Sequence, residues 1–317
     1  MSDSTAGLTV LFEQEAMSGQ YRGDSDIAAQ RIAPLSGLLP WGEGQSRALS
    51  TSAYVERNIA AASDGQGGVI AVFEAEAKIG EHAGDVEIFA QHVDSTGAVT
   101  WNGGSSSLIV ASTDWSERGP VVLSDAHSGV LVIFEMHAPQ GEQAGDVDIA
   151  AQRITGQGEL AWASGRGVAI SSSPLIERNP VAVPDGTGGA FVVFEGQPRV
   201  GERAGISGIF AQHVRLDGRR TWNNGQYPRT VSMSNWSETE PRAVTDGEGG
   251  FLVVFQQEAV NGEHTGDIDL AAQRFDADGN ALWFEGRRSA NLSDSAFSET
   301  AHAVLSDGQG GAFVVFE

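Results

Sequence analysis

Read for hydrophobic and polar positions, the chain writes one pattern again and again. A nearly continuous apolar run closes on Phe12-Glu13, Phe73-Glu74, Phe134-Glu135, Phe194-Glu195, Phe255-Gln256 and Phe316-Glu317. Subtracting successive phenylalanine positions gives spacings of 61, 61, 60, 61 and 61 residues. Three further stretches accompany that run in each period. Between Glu177 and Trp236, Asn179–Pro184 alternates weakly, Ala190–Glu195 (AFVVFE) is apolar throughout, and Ile209–Arg215 (IFAQHVR) alternates again. A looser stretch then starts at Arg220-Thr-Trp222 and ends near Ser234. Alternation of period two marks a half-buried strand, and a short β-branched and aromatic run marks one covered on both faces. Asp185-Gly-Thr-Gly-Gly189 and Leu216-Asp-Gly218 read as the tight turns between them. Helical periodicity is missing, so each unit predicts four strands.

A period this strict means one structural unit repeated side by side, each copy covering its neighbour's apolar face. Gln30, Gln91, Gln152, Gln212 and Gln273 keep the same step, as do Trp41, Trp101, Trp162, Trp222 and Trp283. Four short strands joined by tight turns are the make-up of a propeller blade. The expected fold is therefore all-β, a five-bladed β-propeller of four-stranded antiparallel blades filling residues 1–317 as one domain. Strand counting leaves one surplus copy of the second strand. Ring closure would pair the first two strands from the C-terminal end with the last two from Asp24–Ser50. Either Leu8–Glu13 or Ala312–Glu317 is then displaced, or pairs with another chain. Ala-Gln-Arg at Arg31, Arg153 and Arg274 alternates with Ala-Gln-His at His92 and His213, which points to duplication of a two-unit block. A six-bladed ring, or a longer array cut from a larger protein, is the alternative.

Composition narrows the function. With 19 basic against 42 acidic side chains, the net charge of −23 opposes binding to nucleic acid or an anionic membrane. Cysteine is absent, which removes disulfides and thiolate metal sites. No apolar stretch approaches the ~20 residues of a membrane span. Met1–Glu13 aligns without gaps to Leu305–Glu317, so the chain reads as a piece of a longer exported protein, extracellular or at the cell surface.

Three motifs recur: an Asp-Gly-x-Gly-Gly turn (Asp64–Gly68, Asp185–Gly189, Asp246–Gly250, Asp307–Gly311), an Asp-Ile-Ala-Ala-Gln-Arg strand and a Gly-x-x-x-Trp hairpin. On these the whole chain resembles secreted bacterial β-propeller repeat proteins, a resemblance that implies blades rather than an activity. Asp276-Ala-Asp-Gly-Asn-Ala-Leu-Trp283 also resembles the Asp-box of sialidase-type propellers. Its glycine sits one residue too early and the Ser/Thr start is missing, so sialidase chemistry is not implied.

In such a blade the long loop between strands two and three shares one end with the crossover to the next unit. Binding usually resides in long loops on a rigid scaffold. The expected ligand site is therefore built from Tyr54 with Glu56, Trp115 with Glu117, Glu177, Trp236 with Glu238, and Phe297 with Glu299. Aromatic faces beside carboxylates suit sugar rings. The bland reading makes each Glu a cap or an inter-blade partner. Gly-Glu-x-x-Gly-Asp loops add Glu81 and Asp85, Glu142 and Asp146, and Glu263 and Asp267, hard oxygen donors of the kind calcium takes. No other cofactor is indicated. Catalytic motifs are missing and no repeat stands out, so the sequence leans away from an enzyme. The expected function is a non-catalytic, lectin-like or adhesive binding module that recognises glycan or protein. A structural or surface-assembly propeller, self-associating through the surplus strand, and a glycosidase-like or lyase-like enzyme are the other readings.

Overall fold

The computed structural model describes residues 7–15, 23–33, 36–78, 83–138, 145–163, 167–261, 265–293, 297–300 and 302–317. The first sheet contains β1 (Leu8–Glu15), β2 (Ser25–Ile32) and β3 (Arg47–Ala48). Four sheets of four strands follow. The second holds β4 (Tyr54–Ser63), β5 (Val69–Ala77), β6 (Val86–Val93) and β7 (Leu108–Ala111). The third holds β8 (Ser116–Ser124), β9 (Val130–His137), β10 (Val147–Ile154) and β11 (Val168–Ser171). β12 (Leu175–Pro184), β13 (Ala190–Pro198), β14 (Gly208–Val214) and β15 (Arg229–Ser232) make the fourth. β16 (Ser237–Thr245), β17 (Phe251–Glu258), β18 (Ile268–Phe275) and β19 (Ala290–Asn291) make the fifth. A hairpin of β20 (Ala303–Ser306) and β21 (Ala312–Val315) is the sixth.

Among the described residues the strands number 21. β1 pairs with β2 from Leu8↔Ile32 to Glu15↔Ser25, and β21 pairs with β20. Both copies of the second strand thus have local partners among the described residues, where the expectation left one of them displaced or paired with another chain.

Four first strands, β4, β8, β12 and β16, start earlier than alternation predicts, because each of them carries a bulge. In β12 the register shifts between Arg178 and Val181, and β4, β8 and β16 shift at the matching place. A bulge frees one backbone N–H from the ladder. The carboxylate of the preceding Phe-Glu collects it: Asn58 N–H donates to Glu13, Gly119 to Glu74 and Glu240 to Glu195, each at 2.8 Å. The repeated Phe-Glu is therefore a tie from one sheet to the next.

The stretch beginning at Arg220 is not a continuous strand. Trp222–Gly225 forms a tight turn with Asn223 and Asn224 in the left-handed region at φ 51° and 56°, a conformation that short amide side chains tolerate. Gln212 clamps it, accepting from the N–H groups of His213 (2.9 Å) and Trp222 (3.1 Å) and donating to Tyr227 O (3.2 Å). Gln91 and Gln273 make the same set of bonds. Three hairpin indoles then span to the next hairpin. Trp41, Trp101 and Trp222 donate Nε1–H to Ser95 O (3.3 Å), Gly156 O (3.2 Å) and Ala277 O (3.2 Å).

By contact density the chain divides into two units, residues 1–144 with 151–168 and residues 145–150 with 169–317. Inside the first, Ile27, Ala29 and Trp41 pack on Val69, Ala71 and Phe73. Inside the second, Phe191, Val193 and Trp222 pack on Phe251, Val253 and Phe255, with ring centroids 5.5 Å (Phe191–Trp222) and 6.1 Å (Trp222–Phe251) apart.

Candidate functional site

The crossover glutamates lie inside the protein. Glu56, Glu117, Glu177 and Glu238 have 0 % of their surface exposed, and Glu299 has 5 %. Hydroxyls of the same crossover donate to them: Ser50 and Ser52 to Glu56, Thr113 to Glu117, Ser171 and Ser173 to Glu177, Ser232 to Glu238. Burial disfavours a charged carboxylate, so Glu117 is pushed up to about 7 and Glu56 and Glu177 are also raised. Asp148 is pushed up to about 7 by burial, with Glu177 and Asp146 adding negative charge. Tyr54, Trp115 and Trp236 are half-buried and Phe297 is exposed, so each aromatic reaches the surface while its acid does not.

Of the calcium candidates, Glu81, Glu142 and Glu263 fall outside the described residues. Asp146 pairs with Arg199 at 2.9 Å, and the backbone oxygens of Asp85 and Asp267 accept from Ala77 and Ala259 at 3.0 Å. Among the described residues, no group of three His, Asp or Glu could hold a metal ion.

Groups suited to chemistry gather at the other end of the strands, around the Asp-Gly turns. Each turn aspartate faces two ways. One oxygen of Asp185 accepts from the N–H groups of Thr187 (2.7 Å) and Gly189 (2.9 Å). The other meets the third strand: His92 with Asp64 and His213 with Asp185 at 2.9 Å, Arg153 with Asp125 at 2.7 Å, Arg274 with Asp246 at 2.9 Å. The Gln-His and Gln-Arg alternation is thus an alternation of two partners for one carboxylate. Arg274 also reaches Glu248 at 2.6 Å, and the histidine repeats extend the contacts to a hydroxyl. His92 Nδ1 lies 2.6 Å from Thr100 Oγ1, and His213 Nδ1 lies 2.9 Å from Thr221 Oγ1. Burial works to raise Asp185, but hydrogen bonds from His213, Thr187 and Gly189 outweigh it and hold the carboxyl below its ordinary range. Asp185 is therefore an acceptor, which puts the proton of a neutral His213 on Nε2 and leaves Nδ1 to accept from the Thr221 hydroxyl.

Each unit has a cleft beside such a relay. In the first it measures 430 Å³ and is lined by Asp64, His92, Asp94 and His127. In the second it measures 620 Å³ and is lined by His213, Arg215, Thr221, Asn223, Arg229 and Asp278. Their charges differ. Arg215 stands where the second, third and fifth units have Asp94, Thr155 and Asp276. Arg229 Nη2 donates to Asp278 O at 3.3 Å, while its buried Nε has no partner. Two arginines at one cleft reverse the sign of an otherwise acidic surface. These arginines are absent from the expected site, although a signal for them stands in the chain: Arg215-Leu-Asp-Gly-Arg-Arg220 is the one basic turn in a set that reads Asp94-Ser-Thr-Gly-Ala-Val99 and Asp276-Ala-Asp-Gly-Asn-Ala281 elsewhere.

The sequence matches no protein-family model. No curated protein matches it either. Among solved structures, an ulvan lyase representing a new family of polysaccharide lyase is similar at TM-score 0.55 and 12% identity, over 96% of this chain and 71% of that one. The same kind of enzyme bound to -[GlcA(1-4)Rha3S]- aligns at TM-score 0.53 and 13% identity, over 89% of this chain and 67% of that one. An endo-arabinase from Bacteroides thetaiotaomicron aligns at TM-score 0.43 and 10% identity, over 82% and 88% of the two chains. The fold is all-β with several four-stranded antiparallel sheets, and the propeller resemblance holds at that level. The expectation of a non-catalytic binding module is corrected here, because the higher-scoring fold neighbours are enzymes acting on a glycan.

Proposed function

We propose that this chain is a glycan-degrading enzyme that cleaves an acidic polysaccharide outside the cell, in the arginine-lined cleft of the second unit. The observation that carries this reading is the meeting of Arg215 and Arg229 with Thr221 and His213 in one 620 Å³ cleft, His213 being backed by Asp185. The fold likeness to a polysaccharide lyase supports it. A uronate sugar presents a carboxylate on C5. Two guanidinium groups around that carboxylate would neutralise it and make the adjacent C5–H more acidic, since developing charge is best stabilised by donors already in place. Thr221 Oγ would receive that proton while passing its own to His213 Nδ1, and Asp185 would stabilise the resulting imidazolium. The C4–O bond then breaks, a C4–C5 double bond forms, and the leaving oxygen takes a proton from water.

Incubation with alginate, polygalacturonate and a glucuronate–rhamnose 3-sulfate polymer tests this. The expected result is a rise in ultraviolet absorbance from the conjugated product on at least one polymer. Arg229→Ala should lower kcat/KM about tenfold or more, about 1.4 kcal/mol of transition-state stabilisation. New reducing ends without the absorbance would replace elimination by hydrolysis, and neither signal on any polymer would remove the reading.

A further inference from the structure

The basic surface of the second unit continues past Arg229. Thr230, the next residue of β15, lines a further cleft of 550 Å³, whose other wall is the Gly286–Ser289 stretch of the fifth sheet. Both clefts lie between the fourth and fifth sheets, since Ala277 and Asp278 close the first of them. Arg287 and Arg288 bring two guanidinium groups to the second. The same repeat positions form a cleft of 560 Å³ in the first unit, between Ala48–Ser52 and Gly104–Ser107. There Ser105 and Ser106 stand four and five residues after Trp101, as Arg287 and Arg288 stand after Trp283. Positive charge therefore belongs to the copy beside Arg229 and not to the repeat.

The turn before these arginines departs from its counterparts as well. Phe284 stands at φ 52° and ψ 35°, the left-handed place that Gly42, Asn102 and Asn223 take in other turns. A bulky side chain is unfavourable there. This one is 47% exposed, so burial does not account for it. Its ring is instead a platform: the guanidinium carbon of Arg288 lies 4.1 Å from the ring centroid. The backbone beneath is also held, because buried Gln273 donates to Arg288 O at 3.0 Å. A stacked guanidinium keeps its N–H groups in its own plane, open to two oxygens of a carboxylate or sulfate ester. Arg287 pairs with Glu285 at 2.9 Å, both side chains being mostly exposed, so water screens that pair and Arg288 is the freer charge.

We infer that this second cleft is a subsite for an acidic sugar. Arg288, steadied by Phe284 and joined by Arg287, takes the carboxylate or sulfate ester of the sugar next to the one held by Arg215 and Arg229. The inference rests on the glycan-cleaving reading of the first cleft. It narrows the substrate to a polymer with acidic groups on neighbouring sugars. A chain in which uronates alternate with neutral sugars would leave Arg288 without a partner.

Titration calorimetry with polygalacturonate, the glucuronate–rhamnose 3-sulfate polymer and hyaluronan tests the inference. It uses a Thr221→Val background, which on the first reading binds without cleaving. Polygalacturonate carries a carboxylate on every sugar, the second polymer alternates carboxylate with sulfate ester, and in hyaluronan neutral sugars separate the uronates. Arg288→Ala should weaken binding about fivefold to one or both of the first two and leave hyaluronan unchanged. Which of the two responds tells carboxylate from sulfate ester. Phe284→Gly, which removes the ring and relieves the positive φ, should weaken the same polymer without lowering the melting temperature. No binding to any polymer, equal affinities with and without Arg288, or an equal loss on hyaluronan would each overturn the subsite. Cleavage by the wild type with a KM that Arg288→Ala leaves unchanged would also remove it, while keeping the first reading. Arg288-dependent binding with no cleavage of any polymer would keep the subsite and remove the elimination chemistry.

Discussion

Gly279→Ala is expected to lower stability by about 2–4 kcal/mol, and Gly247→Ala by only about 1–2 kcal/mol, read as shifts in the urea midpoint. Both glycines sit in turns of the second unit at positive φ, +76° and +72°. The backbone cost of a Cβ in the left-handed region is therefore common to the two. They differ in what the Cβ meets. At Gly247 nothing stands within 4 Å, whereas at Gly279 the new atom would be 2.7 Å from Cε2 of Trp222. That ring has little room to retreat. Trp222 is 4% exposed, stacked on Phe191 and Phe251, and tethered by its Nε1–H to Ala277 O. Overpacking against a fixed ring costs about 1–3 kcal/mol, which is the expected gap between the variants. Equal midpoints would mean that the indole shifts freely and that the tryptophan-on-glycine contact is not what joins these sheets.

Strand order within a unit was legible because alternation and turn chemistry are local. The Phe-Glu and Gln markers were legible as a period, although their jobs were not. A carboxylate bonded to a bulge 45 residues onward, as Glu74 is to Gly119, leaves no trace in the pattern around either residue. The Asn223-Asn224 pair reads as the polar side of a strand until its two positive φ angles are seen. The crossover glutamates stand in the expected ligand site, with a cap or an inter-blade partner as the other reading, and the repeat pattern does not separate the two. The corrective signal was nearby, in hydroxyls six and four residues before Glu177, at Ser171 and Ser173. Loop length points to the long-loop end, whereas the turn whose charge is reversed at Arg215 differs from its counterparts only in side-chain charge, which hydrophobic periodicity does not register.

Stability is expected to fall as pH rises from about 4.5 to about 7, with Glu117→Gln removing its own share of that slope. Glu117 has an ordinary value of 4.5 in the unfolded chain and about 7 in the fold, because burial penalises its charge. The native state therefore holds its proton more tightly than the unfolded state does. The stabilisation is fully present below 4.5 and is lost as pH passes through the folded value. A shift of that size corresponds to roughly 3 kcal/mol for this unexposed group. Glu56, Glu177 and Asp148 are raised too and act in the same direction. Asp185, Asp246 and Asp276 are lowered below the ordinary 3.8 and oppose it only in stronger acid, where their hydrogen-bonded carboxylates are lost. The net charge of −23 also disfavours the compact state at high pH, but that term is spread over the surface and is screened by salt. The substitution separates the two, since glutamine keeps an acceptor for Thr113 and cannot ionise. Urea unfolding in 0.5 M salt should find Glu117→Gln close to wild type at pH 4 and more stable than it at pH 8. Parallel pH profiles for the two proteins would show that Glu117 ionises in the fold as easily as in water, and the buried setting of the crossover acids would have to be abandoned.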